Sequence, residues 1–317
     1  MSWIRGLALL PLLPLAGAAY SAYRRDLATA RARVLSGSRI LETRSGPIEY
    51  ALLGEGSPVL VLHGTSGGWD QGLASARGLE AHGFRLIAPS RFGYLRTRLP
   101  ADPSPEAEAD TWANFLDALH IERLPVIAFS AGAAPAVQLA LRHPGRVSEL
   151  VLMVPGAGGL CPLRAVAPPR FVLDALYRFD FPMWLVMRIA PRIIYRLVAV
   201  PSSLIPSLTF DEKARLDEAI DLILPVTARR RGVLNEGKTQ GSTTEYPLTH
   251  VAAPTLLISA ADDLYRTLPV ARHAATVIPH SRLIELPTGG HLLLGRGNEV
   301  WSTVAAFLRR DVRSAAA

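Results

Sequence analysis

The chain has 317 residues, 49% of them hydrophobic, with a formal net charge of +7 and a single cysteine. The apolar fraction excludes a disordered chain, and the lone Cys161 excludes an intrachain disulfide. The positive charge is almost all arginine, since Lys213 and Lys238 are the only lysines; it is scattered apart from Arg24-Arg25, Arg229-Arg230-Arg231 and Arg309-Arg310, with no aromatic-plus-basic module, which argues against nucleic acid.

Gly6 to Tyr23 carries no charge and lies between Arg5 and Arg24-Arg25. It predicts a membrane anchor long enough to cross a bilayer core. By the positive-inside logic the remaining chain would face the cytoplasm. The alternative is a secretory signal cleaved at Ala16-Gly17-Ala18, giving a secreted or periplasmic protein.

Asp26 to Leu35 reads as a short helical linker. Ile40–Glu42 and Ile48–Leu52 read as strands around the turn Ser45-Gly46-Pro47. Pro58 to Leu62 is an apolar run that suits a strand buried on both faces of a parallel sheet. A helix from Asp70 to His82, ended by Gly83, leads to a strand at Arg85–Ala88. Ser104 caps a predicted helix from Pro105 to His120, with Glu106, Glu108 and Asp110 near its start. Pro125–Phe129 reads as a strand and Ser130–Leu141 as a helix. Strands follow at Glu149–Val154, Thr255–Ser259 and Arg282–Leu286, and helices at Pro269–Ile278 and Glu299–Arg310. This alternation implies a doubly wound, mostly parallel sheet.

The alternation stops between Gly156 and Pro254. That stretch reads as helices, including Phe171–Ala190 and Phe210–Ile223, and most of Phe171, Tyr177, Phe179, Phe181, Trp184 and Tyr195 are expected to pack into a core of its own. It is expected to be a cap over an active site. The expected domains are therefore an anchor or signal segment at 1–25, a core at 26–155 and 254–317, and a cap at 156–253.

Ala128-Phe129-Ser130-Ala131-Gly132 joins a strand to a helix. A tight turn there projects the serine from the carboxyl edge of the sheet, as in a G-x-S-x-G nucleophile elbow with Ala128 in place of the first glycine. The bland alternative is a helix N-cap. Upstream, His63-Gly64-Thr65-Ser66-Gly67-Gly68 follows a strand. The Thr65 and Ala131 N–H groups are candidate oxyanion donors; His63 reads as structural. Downstream, Asp262-Asp263 ends a strand. Asp263, three residues past Ala260, is the preferred orienting acid and Asp262 its competitor. His291, in Gly289-Gly290-His291 after the last strand, is the candidate base. No metal-ligand or cofactor motif is present. Arg91 and Tyr94, in the loop Pro89 to Tyr94, receive no catalytic role.

These motifs, in this order, resemble the α/β-hydrolase superfamily from about Ile40 to Arg310. The chain is similar in layout to capped serine esterases, monoacylglycerol-lipase-like enzymes and meta-cleavage-product hydrolases. Ala128 and Ala260 depart from the family pattern without removing a catalytic atom. A serine at the elbow argues against the dehalogenases and epoxide hydrolases, which use aspartate there. The resemblance implies an α/β-hydrolase fold with an inserted helical cap, a triad of Ser130, Asp263 and His291, and no cofactor. The expected substrate is a small apolar acyl or aryl ester, with membrane association through Gly6–Tyr23. C–C hydrolysis of ring-cleavage dienoates, cofactor-free haloperoxidase or perhydrolase chemistry, and a non-catalytic binding protein on the same scaffold are the alternatives.

Overall fold

The computed structural model describes residues 12–162, 169–239 and 244–314. Eight strands form one sheet in the order β1-β2-β4-β3-β5-β6-β7-β8. They are β1 (Arg39–Thr43), β2 (Gly46–Leu53), β3 (Ser57–Leu62), β4 (Phe84–Pro89), β5 (Leu124–Phe129), β6 (Val147–Met153), β7 (Thr255–Ala260) and β8 (Ser281–Leu286). Only the β1–β2 and β2–β4 pairs are antiparallel. The apolar runs of β3, β5, β6 and β7 occupy the middle, where both faces of the sheet are covered.

One face carries α3 (Pro105–Ala118), α4 (Ala133–Arg142) and α10 (Thr267–Val277). Trp112, Phe115, Val137 and Ala271 are fully buried there. The other face carries α2 (Trp69–Ala76) and α11 (Gly297–Ser314), with Ala76, Trp301 and Val304 inside. The sequence predicts one helix from Asp70 to His82; the chain instead tightens into a 3₁₀ turn at Arg77–His82 before Gly83 closes it in the left-handed region, at φ 79°. Ser104 caps α3 as expected, its hydroxyl accepting from Ala107 N–H at 3.2 Å.

β3 neighbours β4 on one side and β5 on the other, so the chain reverses its direction of winding between β3 and β5. In open α/β sheets the crevice at such a point, beyond the carboxyl ends of the strands, is where ligands bind. The His63–Gly68 loop leaves β3 there, and Ser130 leaves β5.

Between β6 and β7 lie α5 (Arg170–Tyr177), α6 (Asp180–Ile189), α7 (Pro191–Leu197), α8 (Phe210–Asp221) and α9 (Arg230–Thr239). The helix predicted over Phe171–Ala190 is thus two. Tyr177 and Trp184 are buried in this insertion's core with Leu216 and Val233. Phe171, Phe179 and Phe181 are not; they are exposed, against the expectation that most of these aromatics pack inward.

The membrane anchor read from Gly6–Tyr23, and the anchored location drawn from it, are corrected. Among the described residues no helix is long and apolar enough to cross a membrane. Gly6 to Pro11 lie outside the described residues. From Leu12 the chain runs as one helix, α1, to Ser36, so the proposed cleavage site at Ala16-Gly17-Ala18 lies within it. Its second half carries Arg24, Arg25, Asp26, Arg31 and Arg33. Ala19, Ala22, Tyr23 and Ala30 join the core of the insertion. Asp26 accepts from Trp184 Nε1 and from Arg188, both at 3.0 Å. From Leu12 to Tyr23 the apolar run is part of a helix docked on protein, continuous with the helical linker expected from Asp26.

Candidate active site

Ser130 follows β5 directly and sits at φ 49°, a left-handed conformation rare for a residue with a Cβ. The 3₁₀ turn Ser130–Gly132 then feeds α4. Two glycines make the turn possible. A Cβ on Gly132 would lie 2.7 Å from the carbonyl oxygens of Leu62 and His63, and one on Gly64 would lie 3.1 Å from the Ser130 Cβ. Ala128, where a glycine is usual, is fully buried in β5 between Leu62 and Leu152 of the flanking strands.

His291 Nδ1 lies 2.8 Å from Asp263 Oδ2. Asp263 is 4% exposed. It also accepts from Thr267 Oγ1 at 2.5 Å and from Tyr265 N–H at 2.8 Å. Burial pushes the Asp263 carboxyl up, but the charge and hydrogen bond of His291, with those other donors, outweigh it and hold it below the usual carboxylate range. With Nδ1–H donated to a carboxylate, the neutral ring presents Nε2 as a base. The Tyr265 ring packs edge-on against the imidazole, with centroids 4.9 Å apart. Asp262 serves a different purpose: it accepts from the N–H groups of Gly289 and Gly290, at 3.3 and 2.8 Å, and so fixes the loop that carries His291.

A cavity of about 320 Å³ covers these groups. Ser130, His291, Thr65 and Ala131 all line it, below a roof of apolar residues from the insertion such as Leu173, Ile223 and Val233. Asp263 stands behind His291. The residues predicted for the site are therefore brought together. The insertion reaches the loops that carry Asp263 and His291 as well: Tyr265 donates to Leu197 O at 2.5 Å, and His291 N–H donates to Ala199 O at 3.3 Å.

The sequence reading takes His63 as structural but gives no partners for it, and it misses the roles of several residues around it. His63 is buried, and its Nε2 accepts from Arg91 N–H at 3.0 Å while Nδ1 lies 2.7 Å from Gly64 O. The ring must therefore carry its proton on Nδ1 and donate to Gly64. Burial, aided by the Arg91 charge, depresses its pKa well below the usual histidine value, so it is neutral. Arg91 is itself buried and clamps Glu108 with two bonds of 2.9 and 3.2 Å, and it also binds Glu236 of α9. Arg229 is fully buried. It donates to Gly67 O at 2.5 Å and to both carboxylate oxygens of Asp70, at 3.2 and 2.8 Å. Tyr177 of α5 bonds Ser66. The basic run at 229–231 thus turns partly inward, since Arg230 also pairs with Asp174. The Arg91–Glu236, Arg229–Asp70 and Tyr177–Ser66 pairs join residues more than a hundred positions apart, which leave no local signal in the sequence.

A family model described as the α/β hydrolase fold matches residues 57–190. RutD of Klebsiella pneumoniae (strain 342), provisionally named a carbamate hydrolase, is 31% identical over 74% of this chain and 85% of its own. A 2-hydroxy-6-oxononadienedioate/2-hydroxy-6-oxononatrienedioate hydrolase of Paraburkholderia xenovorans (strain LB400) is 28% identical over 77% of this chain and 84% of its own. Among solved structures, an alpha/beta hydrolase fold protein from Nakamurella multipartita superposes with a TM-score of 0.71 at 28% identity, covering 86% of this chain and 99% of that one. Relatives matched over most of their length, a sheet wound about the β3–β5 switch point and a serine on the turn after β5 agree with one another: this chain belongs to the α/β-hydrolase fold family and is a hydrolase.

Proposed function

We propose that the chain is a serine hydrolase that cleaves carboxylic esters of apolar acyl or aryl substrates through an acyl-enzyme, without a cofactor. Ser130 is the nucleophile, His291 the proton carrier, Asp263 its orienting acid, and the Thr65 and Ala131 N–H groups the oxyanion donors. Residues 156–253 act as the cap that selects the substrate over a core of 26–155 and 254–317. One observation carries this reading: a histidine bonded to a buried aspartate at 2.8 Å shares a mostly apolar cavity wall with a serine held at positive φ.

A fluorophosphonate probe should label the wild-type protein, and labelling should be lost in Ser130→Ala and His291→Ala. A folded wild type that does not label would sink the proposal. C–C hydrolysis of a ring-cleavage dienoate is the second reading, favoured by the name of the Paraburkholderia relative. Parallel assays on an ester series and on such a dienoate separate the two. Turnover of the ester alone is the expected result.

A further inference from the structure

A second, smaller cavity of about 80 Å³ adjoins the large one. Gln71, Ser75, Phe129, Ala219, His291 and Leu292 line both. Ser130, Thr65 and Ala131 line only the larger. The smaller is bounded by Ala74, Leu222 and Trp301 among others, a mainly apolar lining with Arg215 and Glu218 as its charged members.

The proposed chemistry gives this asymmetry a meaning. Ser130 Oγ bonds to the acyl carbon as its proton passes to His291 Nε2. Collapse of the tetrahedral intermediate breaks the bond from carbon to the leaving oxygen, which departs with that same proton as an alcohol. Water then adds to the acyl carbon, gives a proton to Nε2, and Ser130 leaves carrying it. The acyl group must therefore lie beside the serine and the oxyanion donors, and the leaving oxygen beside the histidine.

We infer that the two cavities are the two halves of one substrate site: the larger receives the acyl group, and the smaller, reached past His291, receives the alcohol. An apolar cavity of about 150 Å³ holds one benzene ring. On that scale the larger lobe takes an acyl group of about twelve carbons and the smaller an alcohol of about three. The substrate class is a bulky apolar acid esterified to a short alcohol. This inference rests on the serine-hydrolase reading and deepens it.

The test titrates the acid released from two ester series by the full chain. One series varies the acyl group as methyl esters from acetate to myristate. The other varies the alcohol of an octanoate from methyl to hexyl. Wild-type kcat/KM should rise with acyl length up to about a dodecanoyl chain, and should fall at least about tenfold between propyl and hexyl alcohols. Ala74→Leu, which narrows only the smaller lobe, should move the alcohol cut-off down to methyl or ethyl and leave the acyl series unchanged. Leu173→Trp, in the larger lobe alone, should shorten the tolerated acyl chain and leave the alcohol cut-off where it is in the wild type. A flat alcohol series in the wild type overturns the inference, and so does an Ala74→Leu variant that penalises long acyl chains instead. Fluorophosphonate labelling separates the two levels of failure. A protein that labels but prefers long alcohols refutes the lobe assignment alone, whereas one that neither labels nor hydrolyses any ester refutes the serine-hydrolase reading beneath it.

Discussion

Asp262 and Asp263 are neighbours in sequence, yet their carboxylates meet different atoms of one loop. Asp263 bonds the His291 ring, and Asp262 bonds the backbone just before it. Removing the two charges should therefore have unequal effects. Asp263→Asn should lower kcat by about a thousand- to ten-thousand-fold with little change in KM, because an amide favours the wrong tautomer and cannot stabilise the imidazolium. Asp262→Asn should cost about tenfold at most, the worth of one or two ordinary hydrogen bonds. Steady-state kinetics on the two variants checks this, and equal losses would reverse the roles. The catalytic candidates were legible in the sequence because each lies at a strand end beside glycine or small residues. His63 and Arg91 were less so: the sequence could suggest that His63 is structural, but it could not show that Arg91 N–H fixes its tautomer from 28 positions away.

At the scale of elements, α1, the β3–α2 loop and the insertion meet at one carboxylate. Asp70 is bonded by Arg229 at 2.8 Å and by Arg33 of α1 at 3.3 Å, and Arg229 also grips the Gly67 carbonyl. This clamp holds the loop that carries Thr65. Arg229→Met leaves Asp70 buried with the Gln71 N–H at 2.9 Å and Arg33, at 3.3 Å, as its remaining charged partner, and should destabilise the fold by about 3–5 kcal/mol. The exposed Arg77–Glu218 pair joins the same layers, and Arg77→Ala should cost less than about 1 kcal/mol. Urea unfolding of both variants tests the contrast. Strands β3, β5, β6 and β7 were readable as unbroken apolar runs, and α3 from its Ser104 cap. The N-terminal helix was misjudged because hydropathy reports how apolar a segment is, not which surface covers it; its partners Trp184 and Asp180 lie far along the chain.

For the whole molecule, the buried ionisable groups set the response to acid. His63 is held neutral in the fold, with a pKa well below that of the unfolded chain. Between those two values the unfolded state binds the extra proton, so stability falls as pH drops below about 6.5. Asp263, depressed in the fold, adds a further loss at lower pH, as pH falls from the ordinary carboxylate range through its folded value. Unfolding free energy should thus decline from pH 7.5 to 5.5 with a His63 contribution of up to about 1.4 kcal/mol per pH unit. His63→Asn should flatten that slope, and an unchanged slope would show that His63 is not held neutral. The doubly wound architecture was predictable from the alternation of strands and helices. The shape of the cavity was not, because it arises where the insertion packs over the sheet.

The docking of α1 also has a consequence in time. Arg31 meets Asp180 across 149 positions, and Arg33 meets Leu224 across 191. At a synthesis rate of about 5–20 residues per second, the helix waits about 10–40 s for the surface that covers it. During that interval its apolar side faces the ribosome exit and whatever lies nearby. The first described element to be made is among the last to find its place, so the nascent chain passes through a stage whose exposed surface the finished protein conceals.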